Sequence, residues 1–259
     1  MRKLSKFLAI LMLTSVAAPV YAAPAAPSSF DGPEFDQAVG RWIEAHPDVV
    51  LRAVDSYVKH EKEREASVAV GVAVKLTSEL AEVGPWTPVL GSANGRIVLV
   101  EVLDANCVYC RRMEPALNKL IVANPDLKIV RRYVNFLAPS SEYAGRMASL
   151  VWKRHQGRYA NFDQKLMDQS KPLSEDVIDG IISDVLGAEA LSALKSELTG
   201  GSKSDVDAFF AGQLDLVKRA QITGTPFFIV AGAGAEGAFR GAVDAATLQK
   251  AIDKARAAK

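Results

Sequence analysis

The chain has 259 residues, of which 49% are hydrophobic, and a formal net charge of +1. This length is enough to bury one substantial core and to carry an accessory segment. The near-neutral charge and the dispersed Lys and Arg residues argue against nucleic-acid binding, and we expect no nucleic-acid partner.

The first 22 residues have the pattern of a secretory signal. Basic residues open the segment, an apolar run follows over residues 7–16, and small residues end it at Ala22. The apolar run is too short to cross a bilayer, which takes about 20 residues. We therefore expect cleavage after Ala22 and a soluble, exported protein.

Residues 23–85 are predicted to form a leader and a helical stalk. The leader, residues 23–33, is rich in Ala, Pro and Ser. Apolar residues then recur at helical spacing in two runs, before and after Pro47: Phe35, Val39, Trp42 and Ile43, then Val50, Leu51, Val54, Tyr57 and Val58. The segment 59–65, KHEKERE, is polar all round and predicts a solvated connecting helix. Residues 68–80 fit either a strand or a helix.

Residues 86–259 are predicted to form an α/β domain with an inserted helical block. The pattern indicates strand, helix, strand, a run of helices, then a hairpin and a helix, at residues 97–103, 113–122, 128–136, about 140–220, 226–230, around 239 and about 245–257. Within the helical block, Gly157, Gly187 and Gly200 are expected to end helices.

The chain contains only two cysteines, Cys107 and Cys110. A secreted protein stabilised by disulfides usually carries several pairs. A disulfide between these two would close a loop too short to restrict the unfolded chain much. We therefore interpret the pair as one kept for its reactivity.

The motif Cys107-Val108-Tyr109-Cys110 follows an apolar strand and begins a helix. At a helix start, unpaired N–H groups and the helix dipole favour a thiolate, so the pKa of Cys107 is expected to fall below its usual value of about 8.5. Cys107 would attack a substrate disulfide, and Cys110 would resolve the mixed disulfide. An inert disulfide in a small loop is the alternative.

Metal and haem sites are poorer interpretations of the motif. Covalent haem attachment needs a histidine directly after the second cysteine, and position 111 is Arg. A structural zinc site needs four ligands, and only three scattered histidines accompany the two thiols. We therefore expect no metal and no cofactor.

The run VLVEVLDANCVYCRRMEPAL resembles the active-site segment of the DsbA-like branch of the thioredoxin superfamily. The stretch from HPDVVLRAV through PVLG resembles the N-terminal helical region of its periplasmic ScsC/Com1-like members. This resemblance implies a thioredoxin fold, thiol–disulfide exchange on proteins and a periplasmic location. Val102 and Leu103 depart from the pattern, since relatives usually carry two aromatic residues there.

Glu101 lies six residues before Cys107, at a strand position where such proteins place a buried acid. A carboxyl group in an apolar strand is costly to ionise, so we expect Glu101 to have a raised pKa and to shuttle the proton of Cys110. A solvent-facing Glu on an edge strand is the alternative.

The segment ITGTP at 222–226 resembles the loop that carries a cis-proline opposite the cysteines. A cis bond at Pro226 would leave the backbone of Thr225 free to pair with a substrate peptide. A proline that simply begins a strand is the alternative. We predict a substrate-binding surface formed by Val108, Tyr109, Thr225 and Pro226. Arg111 and Arg112 are expected to be solvated helix residues, and assistance to the Cys107 thiolate is the alternative.

The two residues between the cysteines bear on the direction of the reaction. Strongly oxidising relatives carry an inner histidine that could stabilise the thiolate, whereas Val108 and Tyr109 offer no comparable donor. A less stabilised thiolate makes the disulfide more stable. This favours a disulfide isomerase or reductase, supplied with electrons by a membrane thiol reductase and acting on misfolded or oxidised secreted proteins.

The apolar faces of residues 35–58 have no obvious place in a thioredoxin core. They would pack against copies of themselves in a homo-oligomer, as in related stalked proteins, or fold back onto the catalytic domain. Three other functions stay open: a DsbA-type dithiol oxidase, a thiolate copper-binding protein and a holdase chaperone.

Overall fold

The computed structural model describes residues 32–200, 203–232 and 236–257. The expected signal segment and most of the leader lie outside the described residues. The chain divides into two compact units, with the boundary between Lys59 and His60, and each is described by itself.

The first unit is helical. Helix α1 spans Pro33–Ala45, and helix α2 begins at Pro47 and ends at Lys75, beyond the unit boundary. Both helices begin at a proline, which lacks the N–H that a first turn leaves unpaired. Helix α1 buries none of its residues. The exposed large apolar side chains of this unit are Val39, Trp42, Ile43, Leu51, Val54, Tyr57 and Val58.

The second unit is built on a five-stranded sheet with strand order β1-β3-β2-β4-β5. The strands are β1 Val89–Gly91, β2 Ile97–Leu103, β3 Leu127–Tyr133, β4 Phe227–Ala231 and β5 Glu236–Arg240. Strands β2 and β3 are parallel, and the other neighbouring pairs are antiparallel. The helices of this unit, besides the end of α2, are α3 Thr77–Ala81, α4 Val108–Ala123, α5 Pro139–Met167, α6 Glu175–Leu186, α7 Ala188–Thr199, α8 Lys203–Arg219 and α9 Ala245–Ala257. The predicted α/β fold with an inserted helical block and a helical N-terminal region is confirmed.

Alternate residues of the central strand β2 belong to two different core layers, because successive side chains of a strand point to opposite faces. Leu99 and Leu103 pack in the layer that contains α4, α9 and most of the inserted helices. Val100 and Val102 pack in the other layer, with α3 and the C-terminal turns of α2 and α8. By this alternation Glu101 points into the same layer as α4, which begins with the cysteine motif.

Several element boundaries differ from the sequence expectations. Strand β1 has only three residues, too few to show a pattern. Helix α4 begins at Val108 and not near 113, because Cys107 caps it directly after the active-site loop. Residues 68–75 are helical. The expectation for Gly157 was wrong, since it lies inside α5, two residues after a kink at His155. Gly187 and Gly200 do follow the last residues of α6 and α7.

Candidate active site

Cys107 is the capping residue of helix α4. Its Sγ accepts a hydrogen bond from the backbone N–H of Cys110 at 3.4 Å, as a capping side chain does. The same sulfur lies 3.3 Å from the carbonyl oxygen of Thr225. The structure therefore brings the CxxC motif and the proline loop together, although 118 residues separate Cys107 from Thr225.

A buried aspartate shapes the loop between β2 and Cys107. The Asp104 carboxylate accepts hydrogen bonds from the backbone N–H of Asn106 at 2.8 Å and from that of Leu137 at 3.0 Å. It also accepts one from the Ser141 hydroxyl, in the first turn of α5, at 2.7 Å. The loop that presents Cys107 is thus tied to the start of the helical insertion.

Arg111 ties the same loop to the other end of α5. Its guanidinium donates to the carbonyl of Ala105 at 2.8 and 3.0 Å, to that of Gln169 at 2.7 Å and to that of Lys171 at 2.9 Å. The expectation of a solvated Arg111 was therefore wrong, because the inserted helices supply carbonyl groups that the local sequence does not reveal. Arg112 is exposed, and its guanidinium lies 5.6 Å from the centre of the Tyr109 ring.

The two thiols have opposite acidities. A hydrogen bond from the Cys110 thiol, helped by the Thr225 side chain and by the backbone N–H groups of Cys110 and Tyr109, lowers the pKa of Cys107 to about 5. Burial raises the pKa of Cys110 far above its usual range, and the charges of Cys107 and Glu101 raise it further. This asymmetry suits a nucleophilic Cys107 and a resolving Cys110.

Glu101 lies in the central strand with none of its side chain exposed. Arg131 Nη1 donates to its Oε2 at 2.5 Å, while its Oε1 is buried without a hydrogen-bond partner. Burial raises the pKa of Glu101 to about 8, and the charges of Glu114 and Asp163 act in the same direction, against that of Arg131. The position excludes a solvent-facing Glu on an edge strand. The charge of Glu101 acts on Cys110, where it raises the pKa of the thiol.

Sequence reasoning missed the polar cluster around Glu101. Arg131 is fully buried and also contacts carboxylates of Glu114 and Asp163, from helices α4 and α5. One signal was available, because Arg131 alternates with the inward-facing Ile129 and Tyr133 of an apolar strand. Nothing in the local sequence marks Glu114 or Asp163.

Of the predicted substrate-binding residues, Thr225 contacts the Cys107 sulfur, and Val108 and Tyr109 directly follow Cys107 in the first turn of α4. The Thr225–Pro226 bond is cis, with Thr225 half-buried and Pro226 buried. Val108 and Tyr109 are 53% and 57% exposed. The proline loop also borders a mainly apolar cavity of about 450 Å³, lined by Asn135, Phe136, Leu214, Lys218, Gln221, Ile222 and Thr223.

Two further findings concern the described residues only. They hold no group of three or more His, Cys, Asp or Glu side chains arranged to bind a metal ion. They also include no helix that is long and apolar enough to span a membrane.

Two thiols of unequal acidity lie next to the proline loop. This arrangement defines a thiol–disulfide oxidoreductase. The chain belongs to the thioredoxin family, whose sequence model, described as Thioredoxin, matches residues 84–254. No curated protein sequence matches the chain significantly.

Solved structures support the same assignment. A thioredoxin-like oxidoreductase from Silicibacter pomeroyi DSS-3 is 31% identical, with a TM-score of 0.59, and the match covers 68% of this chain and 95% of that one. Proteus mirabilis ScsC in a compact conformation is 21% identical, with a TM-score of 0.61 and coverages of 86% and 97%. A periplasmic thioredoxin-like protein from Salmonella enterica serovar Typhimurium is 23% identical, with a TM-score of 0.57 and coverages of 71% and 97%. The last two show the fold alone. The resemblance to thioredoxin-fold oxidoreductases is confirmed.

Proposed function

We propose that this protein is a periplasmic disulfide isomerase and reductase, which acts on secreted proteins through Cys107 and Cys110. The observation that carries the proposal is the placement of the Cys107 thiol, which caps helix α4, accepts a hydrogen bond from the backbone N–H of Cys110, lies against the proline loop and has its pKa lowered to about 5. Among thioredoxin-fold proteins, a nucleophile pKa of about 7 accompanies a reduction potential of about −270 mV, and one of about 3.5 accompanies about −120 mV. An intermediate value suits an isomerase, which must both form and release disulfides.

This acidity modifies the expectation drawn from the inner residues of the motif. Val108 and Tyr109 offer no side-chain donor to the thiolate, but the Cys110 thiol and the Thr225 side chain do. The thiolate is therefore better stabilised than the motif alone suggested. We accordingly place the reduction potential between the two extremes and not at the reducing end.

The proposed chemistry begins with the Cys107 thiolate. It attacks one sulfur of a substrate disulfide, so that a mixed disulfide forms and the other substrate sulfur leaves as a thiolate. In reduction, Cys110 passes its proton to the Glu101 carboxylate and attacks the Cys107 sulfur, which releases the second substrate thiol. In isomerisation, another substrate thiolate attacks the mixed disulfide, and Cys107 leaves unchanged.

The oxidised pair must be reduced again after each net reduction. A disulfide between Cys107 and Cys110 accepts two electrons and two protons to return to the dithiol. We propose a membrane thiol reductase as the electron donor, because an exported protein has no direct access to cytoplasmic reductants.

Protein substrates fit the surroundings of the thiol. Val108, Tyr109 and the loop residues Phe136 and Leu137 are large apolar side chains that are 41–57% exposed. Exposed apolar surface of this kind binds the apolar segments that a misfolded chain exposes. The backbone of Thr225 beside Cys107 would add hydrogen bonds to an extended substrate segment.

The N-terminal helices support a homo-oligomer. Residues 33–58 carry seven large apolar side chains that are 37–67% exposed, an arrangement that a second copy of the same helices would cover. The charged run 59–65 follows directly in the sequence. Several active sites held together would keep a misfolded chain near more than one thiolate.

The proposal is tested by assays of the mature full-length protein. We expect it to reduce insulin disulfides and to recover activity from scrambled ribonuclease, and the Cys107→Ser variant to do neither. Oxidation of reduced ribonuclease without recovery of the scrambled form would show a dithiol oxidase. An absence of all exchange would point to a copper-binding protein or a holdase.

A further inference from the structure

In the core of the second unit, the buried side chain of Arg131 forms ion pairs with three carboxylates. The Arg131 guanidinium donates to Glu101 Oε2 at 2.5 Å, to Glu114 Oε1 at 2.7 Å and to Asp163 Oδ2 at 2.5 Å. The acids come from β2, α4 and α5 respectively. The side chains of Arg131 and Glu101 are 0% exposed, and those of Asp163 and Glu114 only 2% and 6%. A single positive charge cannot balance three buried negative ones, so the cluster favours holding at least one proton.

The three acids do not share the available donors equally. Besides Arg131, Asp163 accepts hydrogen bonds on its Oδ1 from the hydroxyls of Tyr133 at 2.5 Å and Tyr159 at 2.8 Å. Glu101 has Arg131 alone, and its Oε1 has no partner. Hydrogen bonds to a charged group favour the charged form, and Glu101 has fewer of them than its neighbour, so this donor set favours a proton on Glu101.

We propose that Asp163, which the helical insertion contributes, is a positioning residue. It shares the Arg131 guanidinium with Glu101, the proton acceptor of Cys110, and so keeps Glu101 protonated until that proton is exchanged with water. This inference rests on the proposed function, since it concerns the attack of Cys110 on the mixed disulfide. It assigns to the insertion a part in setting the pH at which that attack takes place.

The groups that act on this cluster come from four elements. They are Glu101 from β2, Arg131 and Tyr133 from β3, Cys110 and Glu114 from α4, and Tyr159 and Asp163 from α5, with the charge of Asp168 acting on Glu114 from the end of α5. Glu114 and Asp163 also line a cavity of about 400 Å³, which none of the cysteines or proline-loop residues border. A substrate that covers Cys107 therefore leaves this side of the cluster uncovered.

The test isolates the step that Cys110 performs. The mature full-length protein is loaded at Cys107 with thionitrobenzoate, and the release of that coloured thiol by Cys110 is followed in single turnovers from pH 5 to 9. In the Asp163→Asn variant a repelling charge is lost and Arg131 is freed for Glu101. Glu101 then gives up its proton at lower pH, and we expect the midpoint of the rate profile to fall by about one pH unit.

Matched variants separate positioning from structural damage. Asp179 lies in the insertion but outside the cluster. Like Asp163, it accepts hydrogen bonds from a tyrosine hydroxyl, that of Tyr143, and from a cationic side chain, that of Lys195. We expect Asp179→Asn to leave the midpoint unchanged, and Asp163→Glu to restore it towards that of the wild type. Should Asp163→Asn not fold, Tyr159→Phe carries the test, with a smaller shift in the same direction because Asp163 loses one donor.

The possible failures are distinguishable. A folded Asp163→Asn protein, or Tyr159→Phe in its place, whose midpoint equals that of the wild type would overturn this inference and leave the proposed function standing. An equal shift in Asp179→Asn would overturn it as well. If the wild-type protein released no thionitrobenzoate at any pH, the proposed function itself would fall.

Discussion

Cys107 and Cys110 are three residues apart on one helix, yet their surroundings differ. Cys107 caps the helix, where N–H groups and a neighbouring thiol can donate to its sulfur. Cys110 is fully buried one turn later, where water cannot stabilise a charge. The chemical division of labour between two identical side chains is therefore set by position alone.

The first prediction concerns the reactivity of these thiols. Because the pKa of Cys107 is lowered to about 5, most of it is thiolate at pH 6, whereas Cys110 remains a thiol. Iodoacetamide should label Cys107 rapidly at pH 6, with a rate midpoint near pH 5, and Cys110→Ser should accumulate mixed disulfides with substrate. Mass spectrometry of digested protein measures both, and faster labelling of Cys110 would reverse the assignment.

The second prediction concerns Glu101 and stability. Its pKa is raised to about 8, so between about pH 4.5 and 8 the folded protein holds a proton that the unfolded chain has released. The free energy of unfolding therefore falls as the pH rises through this window. The Glu101→Gln variant should show a weaker fall. Between pH 5 and 8 its free energy of unfolding should rise relative to that of the wild type by on the order of 2 kcal/mol.

Urea unfolding at several pH values measures this effect. The control is Glu142→Gln, at a part-exposed carboxylate of α5 that pairs with Arg146. Parallel pH dependences for wild type and Glu101→Gln would contradict the raised pKa. Slower single-turnover release by the Glu101→Gln variant would in addition support its part in proton transfer from Cys110.

At the scale of elements, the active-site loop depends on the helical insertion. Asp104 joins it to the first turn of α5, and Arg111 joins it to carbonyl groups just after the last turn of that helix. A loop held at both ends of one helix is positioned by that helix. The insertion therefore contributes to the geometry of the site without supplying a reacting atom.

The third prediction compares two adjacent arginines. Arg111→Met removes four hydrogen bonds to three carbonyl groups and should lower stability by about 2 kcal/mol, with slower insulin reduction. Arg112→Met removes an exposed side chain and should change stability by less than about 0.5 kcal/mol. Thermal unfolding of both variants gives the comparison, and equal effects would refute the role of Arg111.

At the scale of the whole molecule, the N-terminal helices extend the sequence beyond the thioredoxin match. That match begins at residue 84, and helices α1 and α2 precede it. Helix α2 includes the charged run 59–65, and near its C-terminal end Ala69 and Ala73 are buried. Residues up to 66 can therefore be removed without deleting these buried positions.

The fourth prediction concerns the assembly of the mature protein. We expect light scattering to show an oligomer, and a chain lacking residues 23–66 to be a monomer that reduces insulin but does not refold scrambled ribonuclease. The double variant Leu51→Lys and Val54→Lys should dissociate the intact chain, because it puts charges on the exposed apolar face. A monomeric wild-type protein, or equal isomerase activity after truncation, would refute the proposal.

The sequence by itself determined the parts of this protein that local patterns encode. An apolar strand and a CxxC motif at a helix start carry their own signal, so the α/β class and the pair Cys107 and Cys110 were accessible from local pattern, whereas Glu101 and Pro226 were singled out by the resemblance to DsbA-like proteins. Helical spacing likewise indicated the N-terminal helices and the inserted block. These features depend on neighbours within a few residues.

Only the tertiary structure decided what surrounds those residues. Arg131, Glu114 and Asp163 come from three elements, and their meeting depends on strand register and helix packing that no local pattern states. The low pKa of Cys107 likewise depends in part on Thr225, which is far along the chain. Charges and hydrogen bonds act through space, so the electrostatics of the site became visible only once distant segments had been brought together.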